Sequence, residues 1–327
     1  MSVHCAEITV RGRVVTVPAT CVADSTIVVV GKLVKMAAIR DEHWLQNDVL
    51  GDPELLIRRL KRDRLGADLL TFAQKLPEVT PKFDYPMEWD NLAAIPITTF
   101  EEWWEKRISQ VTRKNVRRAA RRGVIVQSVP FDDYLVRGIK GIYDETPLRQ
   151  GRRFWHYGKS LDTIRKENST FLDKSELIGA YYEGELIGFL KMVRIGNNSS
   201  VMQILSKNEH YDKRPGNALI AKAVEICATK GISHFIYGQY SYGNNPQSEL
   251  TEFKRRNGFE QFLVPRYYVP LTVKGEVVLK SNLHLGMRRF LPGRLEAALL
   301  AARAKLYERG FFGFCFRGTR GNGIRED

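Results

Sequence analysis

Alternating and β-branched apolar runs separate two stretches of mixed α/β character. In the first, Ile8 to Val17, Thr26 to Val30, Leu33 to Ile39 and Leu92 to Ile97 read as strands. Pro53 to Leu65 sets Leu55, Leu56, Leu60 and Leu65 among charges at helical spacing. Pro77 to Asp90, interrupted by Pro81 and Pro86, reads as a loop. Thr98-Thr99-Phe100-Glu101-Glu102 supplies a threonine cap and an acidic first turn. One helix is therefore expected from there through Trp103 and Trp104 to Arg122, stopping at Gly123, with Val124 to Val129 following as a strand.

The second stretch opens with helices near Asp132 to Tyr143 and Leu161 to Glu167. Leu177 to Tyr182, Leu186 to Arg194 and Ser200 to Ser206 then predict consecutive antiparallel strands, joined by turns at Glu183-Gly184 and Gly196-Asn197-Asn198. Ala218 to Lys230 is an amphipathic helix with Leu219, Ala223, Ile226 and Cys227 on one side and Gly231 as its stop. Ile232 to Tyr240 is a strand, Glu249 to Arg256 a helix closed by Asn257-Gly258, and Phe262 to Leu271 a strand expected to end the sheet. The expected class is α/β (α+β), in two units at 1–125 and 126–275. Lys274 to His284 follows the last strand, and a tail at 276–327 carries a helix from Leu295 to Arg309.

Composition narrows the class of partner. The chain has 327 residues, 43% hydrophobic, enough to bury a core in two compact units. A net charge of +14 favours anionic partners: nucleic acid, nucleotide cofactors, sugar phosphates or an acidic membrane surface. Cys5, Cys21, Cys227 and Cys315 show no metal or redox spacing and read as free thiols. Met1 to Val10 lacks the apolar run of a signal peptide, and Ile27 to Ile39 is broken by Lys32 and Lys35. A soluble, cytoplasmic protein is expected. The histidines lie far apart without carboxylate pairing, so no metal is expected.

Candidate chemistry concentrates between Glu145 and Lys159. There Arg149, Gln150, Arg152, Trp155, His156 and Tyr157 combine guanidinium, amide, imidazole and aromatic groups, a mixture that grips a polar or anionic ligand. His156 titrates nearest neutrality and is the candidate base; Arg149 and Arg152 are candidate anion clamps. Gln239 and Tyr240 end a strand at the position where ligands gather in open α/β sheets. Arg113 to Arg122 is a basic helix, either a solvated connector or a track for phosphates.

The order of strands and helices from Leu177 to Leu271, with Phe253-Lys254-Arg255-Arg256-Asn257-Gly258-Phe259, resembles the GNAT acyltransferase fold. Arg117 to Val124, Glu145-Thr146 with Arg149, and Phe253-Lys254 resemble the FemAB-like branch, in which two GNAT-like units are fused. The resemblance implies acyl transfer to an amine, peptide or small-molecule acceptor, with Lys254 as a cation for an oxyanion or donor phosphate. It also implies a backbone oxyanion donor near Gln203 to Leu205. The donor is acyl-CoA, taken first, or aminoacyl-tRNA. A CoA loop would fall on Lys213, Arg214, Gly216 and Asn217, where Lys213 replaces the family's first residue and Pro215 removes one N–H. A different class remains open: a non-catalytic module binding RNA or a nucleotide sugar.

Overall fold

The computed structural model describes residues 4–10, 13–22, 25–45, 52–63, 65–149, 152–242 and 248–285. The helix expected from Leu295 to Arg309 and Cys315 lie outside the described residues. The chain divides into two units, Met1–Glu276 and Val277–Asp327, and the architecture that follows belongs to the first.

Its first half contains β1 (His4–Val10), β2 (Arg13–Val22), β3 (Ser25–Val30), β4 (Met36–Ile39), α1 (Pro53–Asp63), β5 (Leu69–Ala73) and β6 (Met87–Pro96). Next come a short α2 (Phe100–Glu102), a π-helical turn at Trp103–Arg107, α3 (Gln110–Arg121), β7 (Ile125–Ser128) and α4 (Asp133–Tyr143). A two-residue hairpin, β8 (Leu148–Arg149) and β9 (Arg152–Arg153), precedes α5 (Leu161–Asn168). The second half continues as β10 (Ser175–Tyr182), β11 (Glu185–Ile195), β12 (Asn198–Ser206), α6 (Pro215–Thr229), β13 (His234–Gln239), α7 (Glu249–Arg256) and β14 (Glu260–Pro270). The final helix, α8 (Val273–Lys280), runs into the second unit, whose described part ends in a 3-10 turn at Leu283–Leu285.

Twelve strands form one sheet in the order β1-β2-β3-β4-β5-β14-β6-β13-β12-β11-β10-β7. The two halves repeat a pattern. β2-β3-β4 and β10-β11-β12 are antiparallel meanders, each followed by a 3-10 turn, a helix that starts on proline, and a strand parallel to the last of the meander. Their last strands are exchanged: β14 pairs with β5, β6 with β13, and β14 and β6 pair antiparallel with each other. One sheet therefore combines strands from before and after residue 125. Ala93, Ala94, Ile95 and Val264, all fully buried, sit at this seam.

On β11, Ile187 and Leu190 face α6, while Leu186 and Phe189 face α4, so the helices cover opposite faces. Among the described residues no helix is long and apolar enough to cross a membrane. Cys5, Cys21 and Cys227 are free thiols.

Four sequence expectations are corrected. Ile8 to Val17 falls on two strands, not one, because β1 and β2 pair antiparallel with Val10 opposite Arg13. Leu33 to Val34 is a bend, and β4 starts only at Met36. The helix from Thr98 to Arg122 is broken: Ile108 is extended, and the Ser109 hydroxyl caps a new helix by accepting from Thr112 N at 3.1 Å. Trp103 enforces the break, since its buried indole donates to Asn257 O at 3.0 Å and holds the π turn inward. Phe262 to Leu271 does not end the sheet but enters it between β5 and β6. β5, every residue of it buried, carried no strand signal distinct from a short apolar run.

Candidate active site

β12 and β13 pair in parallel only from Asn198 with His234 to Ser200 with Ile236. Beyond that point they separate, and a bulge on β11 and β12 leaves Met202 out of register. Gly238, at φ +57°, also breaks the pairing of β13 with β6. The edge of β12 that faces the opening thus has backbone groups without a sheet partner.

A cavity lies on each side of this opening. One, of about 400 Å³, adjoins the start of α6 and is lined by Arg149, Ser206, Tyr211, Arg214, Gly216 and Asn217 among others. The other, of about 550 Å³, lies between β12, β13 and loops of the first half, with Trp44, Lys75, Asp90, Gln239, Tyr242 and Arg266 in its wall. Tyr237 lines both.

Lys254 stands behind that shared tyrosine. α7 is capped by Ser248, whose hydroxyl accepts from Thr251 N at 3.1 Å, and this start directs Lys254 inward to full burial. Its ammonium donates to Gln239 O and sits 4.6 Å from the Tyr237 ring centre and 4.8 Å from that of Tyr242. Burial lowers its pKa to about 8. Burial raises the Tyr237 phenol, so it remains a protonated donor.

The start of α6 is unusual for an anion site. Arg214 is left-handed at φ 58°, Pro215 occupies the first turn, and no side chain caps the helix. The Asn217 amide is committed to Asn257 Oδ1 at 3.1 Å. A Cβ on Gly216 would first meet Phe253 at 3.9 Å, so the protein itself has no steric need of glycine there. Gly216, Asn217 and Arg214 line the smaller cavity. Lys213 does not line the cavity; its ammonium lies 4.5 Å from the Tyr182 ring and 3.2 Å from His210 Nδ1.

No family model matches the chain. A spermidine N(1)-acetyltransferase of Thermoplasma acidophilum is 29% identical over 124 residues, 37% of this chain and 71% of that protein. The structure of L-PGS from Bacillus licheniformis superposes with a TM-score of 0.55 at 17% identity, covering 82% of this chain and 88% of that one. The C-terminal domain of a putative lysylphosphatidylglycerol synthetase from Agrobacterium fabrum gives 0.52 at 14% identity, covering 79% and 85%. FemX gives 0.50 at 13%, covering 80% and 88%. The fold is the FemAB-like double GNAT fold.

Within this GNAT scaffold the segment from Glu145 to Lys159 divides its duties. Arg149 donates to Ser206 O at 3.0 Å, to Ile142 O at 3.2 Å and to Glu145 Oε2 at 3.2 Å; its Nε is buried without a hydrogen-bond partner among the described residues. Glu145 in turn accepts from Glu209 N at 3.0 Å, tying α4 to the turn before α6. Arg149 thus lines the smaller cavity as a braced cation.

His156 packs on the α4 face, with its ring 4.4 Å from Tyr143, and lines neither cavity. Its ring nitrogens lie 3.3 Å from Lys159 Nζ and 3.5 Å from Gln203 Nε2. Burial first, then Lys159 and Arg149, lower its pKa to about 4. His156 and Lys254 are not brought into one cavity. Trp155 and Tyr157 are exposed. Gln150 and the side chain of Arg152 lie outside the described residues. Gln239 lines the larger cavity, whereas Tyr240 bonds through its amide to Asn91 O at 3.1 Å and packs against the core.

Tyr237, Tyr242, Arg266 and the first-half residues Trp44, Lys75 and Asp90 were not singled out from the sequence. Only the strand exchange brings the latter to β12 and β13. Among the described residues, Glu185, Glu209 and His210 have ligand atoms within 4.8 Å, but Lys207 already pairs with Glu185 and Lys213 with His210 Nδ1.

On α3, Arg113 caps the π turn by donating to Trp104 O at 2.8 Å, and Arg122 pairs with Asp212. Lys114, Arg117, Arg118 and Arg121 are exposed and have no ion pair among the described residues. Asp212 is two residues from Arg214, so the C-terminal end of α3 is tied through Arg122 to the segment that leads to the smaller cavity.

Proposed function

We propose that the protein is an N-acyltransferase that moves an aminoacyl group from tRNA to an amine, with the donor end at α6 and the acceptor across the β12–β13 opening. The observation that carries this reading is the opening itself, a break in a continuous sheet with a cavity on each side and a buried cation behind it. In the step, the amine nitrogen attacks the ester carbonyl, a C–N bond forms, and the C–O bond to the ribose breaks. The amine proton ends on the departing hydroxyl.

Lys254 supplies positive charge in a water-poor site as the carbonyl oxygen becomes negative. With a pKa of about 8 it can also exchange the proton near neutral pH. The unpaired backbone of β12 offers further donors. Arg149 and Arg214 face the polyanionic donor, and the basic face of α3 can follow its phosphates.

Acyl-CoA is the second reading, favoured by the similarity to an acetyltransferase. Against it stand Pro215 and the uncapped, left-handed entry to α6, which shorten the amide cradle a pyrophosphate needs. Offering the purified protein charged tRNA and acyl-CoA side by side, and following amide formation by mass spectrometry, tests the choice. Amide formed from tRNA is expected; amide formed from CoA alone would reverse it.

A further inference from the structure

The larger cavity has a charge balance that bears on what it holds. Arg266 is committed: its Nε donates to Asp90 Oδ2 at 2.6 Å and its NH2 to Glu42 Oε2 at 3.0 Å. Glu42 is committed as well, since its other oxygen accepts from Ala73 N at 2.8 Å and closes the first half's own gap between β4 and β5. Lys75 differs. Its ammonium donates to the carbonyls of Glu42 and Leu45 and has no carboxylate within ion-pair distance among the described residues. An ammonium has three donors, so one remains. His43, also in the wall, is held below its usual pKa, chiefly by burial, and adds no charge near neutrality.

The wall therefore offers one carboxylate, Asp90, whose Oδ2 accepts from Arg266, and two cations: Arg266, paired with Asp90 and Glu42, and Lys75, held by carbonyls with no carboxylate within ion-pair distance among the described residues. A polyamine would bring several positive charges to a site whose one wall carboxylate already pairs with Arg266. That argues against the substrate in the relative's name. Leu92, Ile195, Val201, Met202 and Ile236 form an apolar stretch of the remaining wall, beside the polar Asn198, Ser200 and Gln239. A volume of about 550 Å³ suits a small molecule.

We propose that this cavity is the acceptor site, and that the acceptor is a small amine carrying its own carboxylate, such as an amino acid or dipeptide, gripped by Lys75. The inference rests on the transferase reading above for which side of the opening the amine occupies.

Calorimetric titration of the full chain with alanylalanine, its C-terminal amide and spermidine tests it without turnover. The free acid should bind about tenfold or more tightly than the amide, the worth of one charge-assisted hydrogen bond. Lys75→Met should bind acid and amide alike, whereas Lys75→Arg, which keeps the charge, should retain the preference. Equal binding of acid and amide by the unaltered protein, or spermidine binding tighter than either, would overturn it. Acid preference with no donor turnover would support this site while failing the transferase reading. Turnover with no acid preference would do the reverse.

Discussion

Lys254 is buried and His156 half-buried, and burial acts on both charges in the same direction: each folded base holds its proton less tightly than the unfolded chain does, so stability rises with pH through each window. Burial lowers the Lys254 pKa to about 8 from 10.5. Between those values the unfolded chain keeps a proton that the folded protein has lost, so the lysine's burial cost fades as pH rises. Lys254→Met should therefore melt at or above the unaltered protein at pH 7, with the gap closing towards pH 10. A lower melting temperature throughout would mean that the bond to Gln239 O and the two tyrosine rings outweigh the burial cost.

For His156 the folded pKa, about 4, lies below the usual 6.5. Above pH 6.5 it is neutral in both states. As pH falls towards 4 only the unfolded chain takes up the proton, and stability drains away. His156→Gln should flatten the decline of melting temperature between pH 6.5 and 4, leaving a residual slope from His43 and His234, whose pKa values are also lowered. An unchanged slope would show that the ring is solvated.

At the scale of elements, α3 is the piece whose role is most open to test. Replacing Arg117, Arg118 and Arg121 with Gln leaves the Ser109 cap, the Arg113 bonds and the Arg122–Asp212 pair in place. The fold should survive, since exposed substitutions of this kind usually cost within about 0.5 kcal/mol each. The log–log salt slope of tRNA binding should fall by about one unit for each phosphate the helix no longer neutralises. An unchanged slope would make the helix a connector.

The sequence made α3, α4, α6, α7 and the β10–β12 meander legible because each has a cap, a period or a turn of its own. It could not show the break at Ile108. The Thr99 cap and the Ser109 cap are both good helix starts, and long-range bonds hold the break between them: Trp103 to Asn257 O, and Ser109 N and the Thr112 hydroxyl to Arg256 O. The candidate site divides in the same way. Lys254, Arg149, Arg214 and Gly216 lie in local motifs. Lys75, Asp90 and Arg266 are ordinary charged residues until the sheet assembles, and His156 was read from a crowded neighbourhood that proves to be largely aromatic packing.

The exchange of β6 and β14 sets the behaviour of the whole molecule. A fragment of residues 126–276 contains the proposed donor side and Lys254 but lacks β5 and β6, so β13 would expose one unpaired edge and β14 would lose both its neighbours. Such a fragment should aggregate or lack a cooperative melt, while the entire chain keeps the β12–β13 opening supported from both sides. A well-folded fragment would show that the seam is dispensable.

The central claim, that acyl transfer occurs at this opening, is tested most directly by single-turnover transfer from labelled aminoacyl-tRNA to an amine acceptor, comparing the unaltered protein with Lys254→Met. With both folded by circular dichroism, the variant should lose about 100-fold or more in rate, the scale set by removing one oxyanion donor. Equal rates in the two proteins would contradict the account.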